Sequence, residues 1–226
     1  MEIIINSKEL KDNNLVDIVK DTFDRMIVQL NKLNLSSLQF IIVPDDFGEE
    51  LIHFQREHGL REGYTNNEIG TAMGKVLTYV EDGIVRSSIF FNWLVIFTLF
   101  DKDKNPNAVH TLHHEFCHVH DDYIKYKAFG VTNPEDLFLD TTDRVGQISY
   151  AHAELIWSEY IATRISSDSR PLGHDMYVNS LIELLPTTQD ECEAAILRYR
   201  TERDLLKLFG EIQLSRCLFS WVLSWD

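Results

Sequence analysis

Cysteine is scarce in this chain of 226 residues: there are three, Cys117, Cys192 and Cys217, at no regular spacing. An odd, scattered set excludes a disulfide framework and favours a reducing compartment. Positive charge is scarce too. Lys and Arg number 21 against 36 Asp and Glu, a formal net charge of −15, so a nucleic-acid partner, which needs clustered cations, is not expected. The acidic excess reads as a solubility device. Long hydrophobic runs are missing. The most apolar stretch, residues 89–100 (IFFNWLVIFTLF), is interrupted by Asn92 and Thr98. It falls short of the roughly 20 residues that span a bilayer, and reads as a buried strand or a strand passing into a short helix. The opening MEIIINSKELKDNN carries acid early and has no apolar stretch leading to a small-residue cleavage site, so no signal peptide is expected. A cytoplasmic protein with no membrane partner follows as the expectation. Repeats, low-complexity tracts and linkers are also lacking, and 44% hydrophobic residues are enough for a sizeable core.

The pattern of what is present begins as strand, helix, strand, helix. EIIIN (2–6) is short and β-branched. Leu15, Ile18, Val19, Phe23, Met26, Ile27, Leu30 and Leu33 recur at helical spacing. SLQFIIVP (37–44) is a strand ended by proline, and residues 47–58 form a helix closed by Gly59. After a polar loop (REGYTNNEIGTAMG), residues 76–80 and 84–91 flank Glu81-Asp82-Gly83, a hairpin signal. A helix begins near Asn105-Pro106 or Asn107, a loop occupies about 130–146, and a helix covers about 147–166. SDSRPLG (167–173) breaks the chain, and three more helical patterns follow at 174–185, 190–208 and 211–225. Strands early and helices late predict one α+β domain over residues 1–226, sheet-bearing to about 105 and helical from about 106.

Five of the nine histidines fall in HTLHHEFCHVHDD, residues 110–122. Within it, His114-Glu115-Phe116-Cys117-His118 has the form HExxH. On a helix, residues four apart share a face, so His114 and His118 can present two imidazoles to one tetrahedral Zn²⁺. Glu115, beside the first, can reach a water on that ion and take its proton. His110, His114, His118 and Asp122 form a ladder in steps of four. Each step overshoots a turn by about 40°, so the four cannot share one ion. His113 and His120 read as satisfied polar residues, Cys117 as a small packing residue. Asp121 and Asp122 are candidates to orient His118 or cap the helix, with Asp122 a minor candidate as a direct ligand.

A catalytic zinc takes three protein ligands, and no third histidine follows at short spacing. The best source is YAHAELIWSEYIATRIS (150–166), whose acids Glu154 and Glu159 lie five apart, about 140° around a helix; one of them can face the histidines. Glu159-Tyr160-Ile161-Ala162-Thr163-Arg164-Ile165-Ser166 resembles the Glu-x-x-Ala-(Asn or Asp)-x-x-Ala signature of gluzincin-type metallopeptidases, the ImmA/IrrE-like group among them. The likeness covers the two motif helices and their order, not the whole chain. It implies a zincin-like fold, Glu159 as the third ligand, and Ala162 as the small residue that lets the helices approach. Thr163 stands where the signature has Asn or Asp and Ser166 where it has Ala. A hydroxyl at 163 weakens the expected hydrogen bond to a ligand histidine.

The expected activity is peptide-bond hydrolysis with one Zn²⁺, held by His114, His118 and Glu159, and Glu115 as general base. A second electrophile is needed, and Tyr150, His152, Tyr160 and His174 have the chemistry without any spacing that selects among them. The resemblance also implies an edge strand beside the cleft to hold an extended substrate, for which Ile84–Phe91, or its continuation, is the expected strand. The partner is then a protein or peptide substrate, and a transcriptional regulator is a plausible one by likeness to the group. The competing expectation is a metal-stabilised regulatory or interaction domain with little turnover. A closed structural site is weaker, because it favours paired cysteines.

Overall fold

Side-chain caps start two of the first three helices. The computed structural model describes residues 1–64, 66–67, 70–132, 144–169, 175–204 and 207–208. Strand β1 (Glu2–Ile5) leads to Ser7, which accepts a hydrogen bond from the Leu10 N–H and opens α1 (Lys8–Asp12). This short helix escaped the periodicity reading because it is barely more than a turn. Helix α2 (Val16–Gln29) follows, then β2 (Leu38–Val43) and α3 (Phe47–Glu57), which Asp46 caps through the Glu49 N–H at 2.9 Å. In the polar loop, two-residue strands β3 (Asn66–Asn67) and β4 (Gly70–Thr71) pair with each other. The hairpin of β5 (Gly74–Glu81) and β6 (Ile84–Phe91) closes at Asp82 and Gly83, with φ of 52° and 75°. Both lie in the left-handed region that a tight primed turn demands.

The sheet order is β1-β2-β6-β5, parallel across the first three and antiparallel at β5–β6. Successive residues divide cleanly between two cores. Ile41, Val43, Ile89 and Phe91 pack with Val19 and Phe23 of α2, while Ile42, Leu77 and Phe90 pack with Phe47 and Leu51 of α3. A sheet buried on both faces explains the unbroken apolar runs IIV (41–43) and IFF (89–91). The strand order also corrects one expectation: β6 is internal, and the terminal strands of the sheet are β1 and β5.

After β6, Asn92 accepts from the Leu94 N–H at 3.0 Å and opens α4 (Trp93–Thr98), the strand-into-helix alternative for this stretch. Helix α5 (Asn105–Phe129) carries Pro106 in its first turn and ends at Gly130, left-handed at φ 76°. Its buried stripe is Ala108, Leu112, Phe116 and Val119, set on the α2 face of the sheet, and full burial of a side chain such as Phe116 contributes about 1.5–3 kcal/mol. His114 lies two residues from both Leu112 and Phe116, hence on the opposite side of the helix. Packing thus turns the histidine face away from the sheet.

That face meets α6 (Arg144–Ser166), which ends in a 3₁₀ turn, Ser167–Ser169. The last described helix, α7 (Asp175–Glu202), runs continuously through Pro186, where two separate helices were expected. Proline removes one backbone hydrogen bond and kinks a helix without having to end it. The pattern at 211–225 and most of the 130–146 loop lie outside the described residues, as does Cys217. Among the described residues, no helix is long and apolar enough to cross a membrane.

Candidate metal centre

His114, His118 and Glu159 converge. His114 Nε2 and His118 Nε2 are 3.1 Å apart, and Glu159 presents Oε2 at 3.4 Å from the first and Oε1 at 3.6 Å from the second. Donors about 2.0–2.1 Å from a tetrahedral zinc stand about 3.3–3.4 Å from each other, so the triangle has the size a single ion requires. These three residues form a group that could hold a metal ion. Glu159 Oε2 is sealed from solvent and has no well-formed hydrogen bond among the described residues, an arrangement that a cation would complete. Fully buried Ala162, one turn beyond Glu159, lets α6 come this close.

Burial drives the electrostatics. It pushes His118 down to about 3 against the opposing pull of Glu159, so this imidazole is neutral and keeps a lone pair. Burial alone would raise Glu159, but the imidazoles of His114 and His118 outweigh it and hold the carboxyl below its ordinary value. Two nitrogen lone pairs and one carboxylate are a fitting donor set for a dication. Glu115 is pushed up to about 7, mainly by burial and further by Glu159, while His114 and Lys75 oppose the rise.

The hydrogen bond that orients His118 comes from a residue the sequence did not single out. His118 Nδ1 lies 3.1 Å from Ser158 Oγ. With the Nδ1 proton donated there, Nε2 is left as the ligand atom. A signal did exist: Ser158 immediately precedes Glu159, about 100° around α6, and so shares its approach to α5. Ser158→Ala is expected to weaken binding of a metal ion at this group about 10–100-fold, the usual cost of losing such a partner. Chelator competition measures this, and unchanged affinity would remove Ser158 from the site.

The other members of the His-rich run separate. His110 and His113 direct Nδ1 to Ser169 Oγ at 3.1 and 2.8 Å, and Ser169 donates to the Ser166 carbonyl at 2.8 Å, pinning the end of α6 to α5. His120 Nδ1 accepts from the Asn34 N–H at 2.8 Å. Asp121 and Asp122 do not orient His118. Asp121 pairs with Lys125 at 2.6 Å, and Asp122 accepts from Thr78 Oγ1 of β5 at 2.7 Å. Thr78 in turn contacts Ser87 Oγ at 3.2 Å, and Ser87 contacts Ser37 Oγ at 3.0 Å. Glu154, the other acid weighed as a ligand, is engaged by Lys125. Cys117 is buried, and burial pushes its thiol up to about 12, consistent with packing rather than ligation.

Of the candidates for a second electrophile, Tyr150 is half-buried and Tyr160 is exposed beside Trp157, ring centroids 6.0 Å apart. The His152 side chain and His174 lie outside the described residues. Lys75, on β5, is a cation whose charge reaches Glu115, His118 and Glu159; nothing in its local sequence marked it.

No protein-family model, curated protein or solved structure matches the chain. The functional reading therefore stands on the site itself.

Proposed function

We propose that this protein is a zinc-dependent metallopeptidase of zincin type, similar to the gluzincin and ImmA/IrrE-like group, and that it hydrolyses peptide bonds in a protein or peptide substrate. One observation carries the reading: both histidines of an HExxH helix meet a glutamate from a later helix at tetrahedral spacing. His114, His118 and Glu159 would hold the ion, two nitrogens and one oxygen being a donor set typical of catalytic zinc. Zinc, when bound, supplies a Lewis acid that polarises the scissile carbonyl and acidifies water.

The chain's own residues do the rest. Glu115 is not needed to hold a metal, and its place beside His114 lets it accept a proton from the attacking water and return it to the leaving amine. Ser158 fixes the ring of His118. The terminal strand β5, whose first residue Gly74 lies against Glu115, would offer main-chain groups to an extended substrate. A cytoplasmic setting is supported by the scattered cysteines, and a regulator protein is a substrate in keeping with the resemblance.

Elemental analysis of the full chain and of Glu115→Gln, followed by cleavage assays on unstructured polypeptides, tests the proposal. One zinc per chain is expected in both, with turnover at least about 10²-fold lower in the variant, as for loss of a general base. Equal zinc with no cleavage by the wild-type chain favours a metal-stabilised regulatory domain. No zinc, with His114→Ala neutral for stability, removes both readings.

A further inference from the structure

The geometry points to Gly74 as the positioning residue for Glu115: the missing side chain at the start of the edge strand is the cradle in which that carboxylate lies. A Cβ built on Gly74 would stand 2.6 Å from Glu115 Cγ, 2.8 Å from Cδ and 2.9 Å from Oε1. These are its three nearest neighbours, and all belong to one side chain. Real Cβ atoms essentially never approach so closely. Any residue other than glycine must therefore move the strand or move Glu115.

The strand has little freedom to move. Gly74 is paired with Phe91 in the β5–β6 ladder, and the next link is the Asn92 N–H to Met73 carbonyl hydrogen bond at 2.8 Å. Phe91 itself is fully buried and stacked on Phe23, ring centroids 5.6 Å apart. Four residues on, Thr78 fastens β5 to α5 through Asp122. Gly74 does not lie among the positive-φ glycines, so alanine would suit its backbone. Space against Glu115, and not conformational freedom, is what requires glycine here. The consequence is that the main chain of β5 sets one wall of the carboxylate's position, while α5 sets where its side chain begins. Both the metal ligands and the edge strand are thereby placed relative to the proton carrier.

This role rests on the reading of Glu115 as the proton-carrying residue, and the test separates the two. The full chain is compared with Gly74→Ala, Glu115→Ala and the double variant, first by thermal unfolding in chelator, then by zinc affinity and turnover. Gly74→Ala is expected to lower Tm by about 3–8 °C, the usual scale of overpacking in a chain of this size. The loss should vanish in the Glu115→Ala background, because the atoms it would strike are gone. Zinc affinity should hold while kcat falls about 10²-fold at nearly constant KM, the effect of displacing one reacting group by about 1 Å. Equal Tm losses in both backgrounds overturn the proposal, and so does Gly74→Ala with wild-type kcat. A wild-type chain without turnover, whose Tm loss still appears only when Glu115 is present, upholds the cradle and sinks the peptidase reading instead.

Discussion

Glu159→Gln is expected to leave the fold standing and to cost more than 100-fold in zinc affinity. The bound is set by comparison: losing an outer partner of a ligand costs about 10–100-fold, and a ligand does more than its partner. Gln fills the same volume but removes the one negative charge from a set whose other donors are neutral imidazoles. The matched control is Glu154→Gln, five residues earlier on the same helix. Glu154 is taken up by Lys125, so its amide should bind zinc as the wild-type chain does. Stabilisation by the ion gives a second measurement. A ligand at 100 times its Kd raises stability by about 2.7 kcal/mol, and this increment should shrink in Glu159→Gln at the same zinc concentration. If Glu159→Gln keeps full affinity while Glu154→Gln loses it, the third ligand has been placed on the wrong acid.

Lys125→Met should be the most destabilising single change outside the apolar core. The Lys125 side chain is 15% exposed and lies between Asp121, 8% exposed, and Glu154, 24% exposed. Burial works against its charge, yet the two carboxylates hold its ammonium above the ordinary lysine value. Removing it leaves both acids without the ion pair that Lys125 gives them among the described residues. Breaking a buried pair in this way costs about 3–5 kcal/mol. Urea unfolding would report the loss, and Lys125→Met combined with Asp121→Leu should recover part of it by withdrawing one orphaned charge. A change below about 1 kcal/mol, the range of surface pairs, would show that the three groups are solvated.

Local chemistry was legible wherever periodicity and spacing carry it. HExxH on a helix, the hairpin at Asp82-Gly83 and the Gly130 stop all follow from neighbouring residues alone. The choice between Glu154 and Glu159 did not, because the helical wheel shows only that one of them can face α5; the resemblance favoured Glu159, and the Lys125 pairing gives the reason Glu154 turns away. Sheet order is non-local, and the resemblance points to β6 or its continuation for the edge, where the structure has β5 as the terminal strand on that side. A clue was present even so. Ile89, Phe90 and Phe91 are apolar at consecutive positions, as a strand covered on both faces must be, whereas β5 breaks its apolar pairs with Lys75, Thr78 and Glu81. Ser158 and Gly74 were missed for a common reason. One acts by the hydroxyl it lends to another helix and the other by an atom it lacks, and neither leaves a periodic trace.

The hydroxyls linking Asp122 to Ser37 have only one consistent arrangement. Thr78 gives its proton to Asp122, so it can only receive from Ser87, and Ser87 can only receive from Ser37. Three O–H vectors therefore point the same way across β5, β6 and the residue leading into β2, like a row of dipoles aligned on one anion. Burial pushes Asp122 up to about 6, close to where cells keep their acidity. Once that carboxyl takes a proton, the reason for the alignment disappears, and the row is free to reverse as a unit from the helix to the first residue before β2.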